Sequence, residues 1–383
     1  MAVFLSGSNV EKNIAQIFAV LLKGDSIGNI IRTNHRINKE LGNPSIILDL
    51  FSDFHEDDIF PMATKDFPSN ITNMLIRFLG LSDKPAYLLK YFENNKYYRR
   101  QEAMKRLEKA DIRVWHLAGV VYLFNLIHRG DLVQFNNHTY PYLSSGEAQA
   151  TNKKLRMELT AYNDLDLYYI NSSKFNEETL DKFNVYYKKS WVLPLFHNYN
   201  LPYSKHLTEK PRFLFYSRYA KNKQMPELAK FSSENKYNLT MFGNTALQTE
   251  FKAEYKKALN YADENVSVLQ QVPEIDSYFN NANILINPSL HEGFSMPIIE
   301  AEAHSLPILA RRGTAMDELV EDGRNGYLFD DFEEVPELAD KILANYAHFS
   351  RNAWAHSKEY TYAKYKERYL RILKEYTKER QKK

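Results

Sequence analysis

Glu292 and Glu300 stand eight positions apart in the run Ala282-Asn283-Ile284-Leu285-Ile286-Asn287-Pro288-Ser289-Leu290-His291-Glu292-Gly293-Phe294-Ser295-Met296-Pro297-Ile298-Ile299-Glu300. The run passes from an apolar stretch through a polar loop into a second apolar stretch, which reads as strand, loop, helix. Pro297 suits the first helical turn, Ser295 the N-cap, and Gly293 the relief of a tight turn. Backbone N–H groups and the positive end of the helix dipole would then face an anion, and a diphosphate suits such a site. Carboxylates accept hydrogen bonds from hydroxyls, so two of them here point to a ligand with both phosphates and hydroxyls, such as a sugar nucleotide. Taken singly, either glutamate would be read as one that merely favours the helix dipole; spacing and context together favour the ligand.

A second group lies in Arg212-Phe213-Leu214-Phe215-Tyr216-Ser217-Arg218-Tyr219-Ala220-Lys221-Asn222-Lys223. Arg218 and Lys223 follow an apolar strand pattern, where a forked guanidinium and a point charge could both reach a diphosphate; Lys221 could serve equally. Without the helix-start segment these cations would be read as solvated.

The elements that must position these residues recur as short apolar runs between helical patterns, at 44–50, 131–136, 167–171, 212–217, 238–242, 283–287 and 307–310. That rhythm predicts an α/β protein with parallel strands, and places Glu292 and Arg218 beyond strand C-terminal ends, where doubly wound sheets bind ligands. Residues 193–211 hold Pro194, Pro202 and Pro211 without periodicity and read as a linker. The expected organisation is a first domain at 1–195, a linker at 196–210, a second domain at 211–350 and a helical segment at 351–383 that packs back on the first domain. Near the start, Ile14, Ile17, Phe18, Leu21 and Leu22 fit a helical stripe, while 18–22 fits a buried strand. The strand is preferred, with 24–29 turning into a helix at 30–41; a helix C-cap at Gly24 is the competing reading.

Composition narrows the function classes. The 383 residues carry 50 Lys+Arg against 48 Asp+Glu, a net charge of +2 that gives no reason to expect a nucleic-acid partner. With no cysteine, disulfides, zinc thiolates and a Cys nucleophile are excluded. The most apolar stretch, 114–127, is shorter than the roughly 20 residues a membrane span needs. The first residues lack a secretory pattern, so a cytoplasmic protein is expected.

The order of these motifs resembles the retaining glycosyltransferases of the GT-B fold, in particular family 4. Glu292 and Glu300 fit its E-x7-E signature, with Pro288-Ser289 before and Gly313 and Glu318 after. Arg218 and Lys223 match its Gly-Arg…Lys-Gly element, and Asp322-Gly323-Arg324-Asn325-Gly326-Tyr327-Leu328-Phe329 its D-G-x-N-G-x-L stretch. The match is good over about 205–335 and weak in the first half. The resemblance implies two Rossmann-like domains around a cleft and a metal-free, cofactor-free hexosyl transfer from a UDP- or GDP-sugar. Arg218 and Lys223 would neutralise the diphosphate and the departing nucleotide. Glu292 would hold sugar hydroxyls, and Glu300 the ribose. The backbone of Phe294, Ser295 and Met296 would hold phosphates, with Gly293, Ser217 and Gly243 completing the donor set. Three positions depart from the pattern: Ser295, Ser217 and Gln224 stand where glycine is usual, and altered loop geometry with retained binding is expected. In the first domain the family places a histidine near the sugar and β-phosphate; His138, beside Asn137 and Tyr140, is the positional match and is assigned to the catalytic cleft, a surface or capping histidine being the competing reading. His291 resembles a variable position. Asp164-Leu165-Asp166 only superficially resembles the metal motif of the other transferase fold.

The acceptor would be a glycan or a lipid-linked glycan, in surface polysaccharide or glycoconjugate synthesis. Residues 88–110 interleave Lys90, Lys96, Arg99, Arg100, Lys105, Arg106 and Lys109 with Tyr91, Phe92, Tyr97 and Tyr98, which suits an anionic inner membrane face, or equally a solvated helix. Two other functions remain open: a nucleotide-sugar 2-epimerase of the same fold, and a degenerate transferase serving as a partner subunit.

Overall fold

The computed structural model describes residues 12–18, 26–49, 59–61, 101–116, 127–135, 160, 162–204, 207, 211–245 and 249–382. Among these, the chain builds two all-parallel sheets. The first comprises β1 (Ile14–Phe18), β2 (Ser45–Asp49), β3 (Ile59–Pro61), β4 (Ile112–His116), β5 (Leu132–Phe135), β6 (Tyr168–Asn171) and β7 (Lys189–Val192), in the order β3-β2-β1-β4-β5-β6-β7. Helices α1 (Ser26–Glu40), α2 (Gln101–Glu108) and α3 (Lys174–Lys182) belong with it. The second comprises β8 (Arg212–Tyr216), β9 (Asn238–Gly243), β10 (Val266–Gln270), β11 (Ile284–Asn287), β12 (Ile308–Arg311) and β13 (Gly326–Phe329), in the order β10-β9-β8-β11-β12-β13. Its helices are α4 (Met225–Glu234), α5 (Thr249–Leu259), α6 (Asp276–Asn280), α7 (Met296–Ala303), α8 (Val335–Ala344) and α9 (Tyr346–Ser357).

Parallel strands need crossovers that cover both sheet faces, so their residues are buried throughout; β6 and β11 are buried at every position. Strand order reverses between β1 and β4 in one sheet and between β8 and β11 in the other. At each reversal the helices leave to opposite faces and open a crevice at the strands' C-terminal ends.

The first strand is described over Ile14–Phe18, where Ile14 to Phe18 find register with both β2 and β4; of the expected 18–22 only Phe18 is among the described residues. Residues 19–25 and 117–126, which held the rest of those apolar runs, lie outside the described residues. The helical pattern placed at 30–41 begins a turn earlier, at Ser26.

The segment expected as one helix over 351–383 breaks at a 3-10 turn, Lys358–Tyr360. Before the break, α9 adds Tyr346 and Phe349 to the second core; after it, α10 (Tyr362–Gln381) joins the first. Tyr365, Tyr369 and Tyr376 are buried there beside Ile14, Val114 and Leu132. Their hydroxyls serve buried amides: Tyr365 donates to Asn34 Oδ1 at 2.8 Å and accepts from Gln134 Nε2 at 3.4 Å, and Tyr369 accepts from Gln16 Nε2 at 3.3 Å and Asn38 Nδ2 at 3.4 Å. Tyrosine is suited to this, since its ring fills the core while its hydroxyl meets the amides that burial would otherwise strand. The chain crosses beside its own linker, where His197 N–H donates to Tyr360 O at 2.9 Å.

Candidate functional site

The second sheet's reversal point gathers the expected donor residues. Beyond β8 the chain makes a 3-10 turn, Lys221–Lys223, and Leu290 N–H of the loop after β11 donates to Asn222 O at 2.9 Å. That bond brings Lys223 against the loop: its Nζ lies 2.5 Å from Glu292 Oε1, with Lys223 only 6% exposed. Burial lowers the Lys223 pKa, Glu292 opposes this, and the charge of Arg218 adds to the lowering. His291 is held neutral, its pKa pushed down to about 3 by burial and then by Lys223. Arg218 itself is exposed, its guanidinium 5.9 Å from the Phe251 ring. A buried lysine paired with one carboxylate, and an exposed arginine beside it, form a positive rim above the helix start.

That start is α7. Pro297 lies in its first turn and Ser295 at its N-cap, as the sequence suggests, but Ser295 does not cap it. Its Oγ accepts instead from Asn287 Nδ2 at 2.9 Å, while Asn287 Oδ1 accepts from Ser289 N–H at 3.1 Å. Among the described residues no side chain is seen to cap the N-terminal end of α7, the condition under which a helix start receives an outside anion. Ser295 has φ −99°, so the glycine usual at that position is not needed for conformation. Gly293 also lies outside the left-handed region, so it is not the tight-turn relief expected of it. Phe294 and Met296 pack between the two cores, which leaves their backbone for the site.

Glu300, on α7, accepts a hydrogen bond from the Tyr216 hydroxyl, and Tyr216 stacks on Phe242 with ring centroids 5.3 Å apart. Burial raises the Glu300 pKa to about 7; the Tyr216 bond opposes this and Asp276 adds to it. Ser217 N–H donates to Phe242 O at 3.1 Å, and an ideal Cβ at Gly243 would fall 1.5 Å from Ser217 O. Glycine at 243 is thus what lets the ends of β8 and β9 close on each other. Gln224 follows Lys223 with φ +52°, a left-handed conformation that explains why glycine suits this place.

The Asp322 to Phe329 stretch is architectural. Gly323 has φ +79°, Asp322 Oδ1 accepts from Leu328 N–H at 2.6 Å, and a Cβ at Gly326 would lie 2.0 Å from Ile308 O, so the stretch seats β13 against β12. Asn325 Nδ2 reaches back 2.6 Å to the buried Glu302, which also meets His356 Nδ1 at 2.8 Å.

From the first sheet, the start of α3 meets this loop. Gly293 O accepts from Ser173 Oγ at 2.8 Å, Asn176 Nδ2 at 3.1 Å and Ser172 Oγ at 3.3 Å. Ser172 and Ser173 follow β6 and Gly293 follows β11, so the C-terminal edges of the two sheets face each other here. His138 lies outside the described residues, as do 88–100 of the basic stretch; Lys105 and Arg106 sit in the last turn of α2, with Lys109 just beyond it. A histidine that sequence reasoning passed over, His116, ends β4 at the first sheet's reversal point. It is buried and neutral, pushed to about 3 by burial, and bonded through Nε2 to Gln16 Oε1 at 2.7 Å. Its position inside the apolar run 114–127 concealed it. Asp166 pairs with Arg129, and among the described residues no cluster of three His, Asp or Glu is placed to hold a metal ion.

Residues 210–348 match the family model described as glycosyl transferases group 1. Residues 210–348 are thus similar to a group 1 glycosyltransferase domain. The chain is 26% identical across 147 residues to the capsular polysaccharide biosynthesis glycosyltransferase CapM of Staphylococcus aureus, covering 37% of this chain and 39% of that protein. It is 33% identical across 108 residues to alpha-monoglucosyldiacylglycerol synthase of Acholeplasma laidlawii, covering 27% of each. The matches thus span less than half the length of these relatives. Fold similarity extends much further than the group 1 domain. Sucrose-phosphate synthase from Thermosynechococcus elongatus superposes with a TM-score of 0.68 at 16% identity, over 95% of this chain and 98% of that one. A glycosyltransferase from Rickettsia africae gives 0.68 at 16% identity, over 96% and 99%. The Anabaena protein HepE, solved with UDP and glucose, gives 0.66 at 14% identity, over 95% and 100%. The architecture is therefore the GT-B fold, as expected. No helix among the described residues is long and apolar enough to cross a membrane.

Proposed function

We propose that the chain is a retaining glycosyltransferase that moves a hexosyl unit from a UDP- or GDP-sugar to a glycan or lipid-linked glycan acceptor. The observation that carries this reading is the Lys223 and Glu292 pair at the reversal point of the group 1 domain, beside a helix start without a side-chain cap. The diphosphate lies over the start of α7, on the backbone of Phe294, Ser295 and Met296. Arg218 and Lys223 take up the charge that grows on it as the glycosidic bond breaks. When the diphosphate arrives, Lys223 divides its charge between phosphate and Glu292, and the carboxylate is available to sugar hydroxyls. Glu300, with one oxygen held by Tyr216, offers the other to the ribose. Excluding water between the facing strand ends protects the donor from hydrolysis. The residues that neutralise the leaving group are cations, so the chemistry runs without a metal. The capsular and glycolipid relatives support an acceptor of the glycan or lipid-linked kind, on the inner face of a membrane to which 88–110 would be drawn.

A thermal-shift panel of UDP, GDP and their sugars, with and without a chelator, tests this. A ligand at 100 times its dissociation constant stabilises by about 2.7 kcal/mol, and that shift should survive chelation. Glu300→Ala should weaken nucleotide binding, whereas Lys223→Ala should chiefly lower turnover. No shift with any nucleotide, or normal activity in both variants, would overturn the assignment and favour a degenerate partner subunit. Inversion of the sugar at C2 without any acceptor would favour an epimerase.

A further inference from the structure

Three segments close a circuit around Glu292. The start of α3 supplies three donors to Gly293 O, and all three side chains are 2% exposed or less. The carbonyl of Glu292 itself accepts from Ala315 N–H at 3.2 Å. Ala315 opens a 3-10 turn, Ala315–Glu318, whose last residue returns to α3: Glu318 accepts from Lys174 N–H at 3.0 Å and Phe175 N–H at 2.7 Å. The ring of Phe175 packs 5.6 Å from that of His291. The two consecutive peptides that follow the Glu292 side chain are thereby tied down, one from each half of the molecule. Glu300 has no such dependence, because its partner Tyr216 lies in its own half.

We propose that Ser173, Asn176 and Glu318 are positioning residues for Glu292. Engagement of α3 then sets how the transferred sugar is held, and leaves the nucleotide end of the site unaffected. This rests on the donor-site reading above for the sugar, though the positioning of the loop does not. A carbonyl that accepts three buried donors has no room for water; when a donor is lost, the 293–294 peptide reorients and, through Gly293, shifts the Glu292 side chain one residue before it.

The test uses Asn176→Ala and the rim variant Glu318→Ala, with Ser173→Thr, which keeps a hydroxyl, as the conservative control. Without ligand, amide hydrogen exchange over 291–296 should quicken about fivefold or more in the two alanine variants and stay near wild type in Ser173→Thr. Calorimetry with UDP, GDP, UDP-glucose and GDP-mannose should leave nucleotide affinity within about twofold. The ratio of sugar-nucleotide to nucleotide dissociation constants should move about tenfold against the sugar, as in Glu292→Gln. Wild-type exchange in both alanine variants would overturn the proposal. So would an equal loss of affinity for nucleotide and sugar nucleotide, which marks a general loss of stability. If the wild-type chain binds none of the four ligands, the donor-site reading falls, and the exchange result still decides whether α3 positions the loop.

Discussion

Two helices begin at the facing strand ends, α3 after β6 and α7 after β11, and they treat their first N–H groups in opposite ways. The start of α3 is filled by the protein: Ser173 Oγ accepts from Asn176 N–H at 3.1 Å, and Glu318 takes the N–H groups of Lys174 and Phe175. The start of α7 has a serine in the same place, yet that serine turns back to Asn287. The satisfied start is a structural joint, and the other is where the proposed function places the donor diphosphate. The same local pattern, small polar residue then helix, thus divides into two functions according to what the rest of the chain delivers to it.

The largest effect that would sharpen this contrast is on the ion pair beside α7. Lys223→Ala leaves the Glu292 carboxylate without its partner in a site where that carboxylate is 12% exposed. Stability should fall by about 2–4 kcal/mol in chemical denaturation, where loss of a neutral bond at α3 costs about 1. An equal cost at both places would dissolve the distinction.

Next comes pH. Glu300 keeps its proton to about 7 in the folded chain, against an ordinary 4.5. Over that interval the folded state binds more protons than the unfolded one, so this carboxyl's contribution to stability falls as pH rises and is lowest above 7. Glu300→Gln should therefore gain about 1–3 kcal/mol over the wild type near pH 8, with the difference closing towards pH 4. Parallel stability curves for the two proteins would contradict this.

Ser173→Ala and Ser295→Ala compare the two N-caps directly. The first should cost about 1–2 kcal/mol by losing a cap and a bond to Gly293 O, and the second under about 1, as only the bond from Asn287 is lost. The smallest effect is expected at a third helix start: Gln224, the N-cap of α4, has φ +52° and no side-chain cap bond. Gln224→Gly should gain about 0.5–1 kcal/mol in a denaturation midpoint, since relief of left-handed strain outweighs the added freedom of the unfolded chain.

How much of this was legible depended on the range of the interactions. The run 282–300 announced strand, loop and helix because its proline, serine and apolar residues act within a turn of one another. The strands of the second sheet's centre were equally plain. Edge strands were not: β7, Lys189–Val192, is half-buried along its whole length, and β10 alternates with exposed Ser267 and Gln270, so neither shows a continuous apolar run. β4 was hidden inside the longer apolar run that ends it with His116. The contacts that differentiate α3 from α7 join Lys174 and Phe175 to Glu318, 144 and 143 positions away, and no local pattern encodes them. Gln224 marks the converse: its departure from glycine was visible, but the left-handed backbone behind it was not.

The crossing of α10 carries a consequence for biosynthesis. The first half leaves Gln16 and Gln134 of its sheet and Asn34 and Asn38 of α1 in its interior, and the tyrosine hydroxyls that meet them come from residues 365 and 369. On a ribosome, the second sheet can complete its core once about residue 360 has emerged, since its two clusters end on Phe349 and Tyr360. The first sheet, though synthesised earlier, must wait for Tyr365, Tyr369 and Tyr376 of α10. The half made first is finished last, and until then the apolar surface around Ile14, Val114 and Leu132 that α10 covers is where a chaperone would find it.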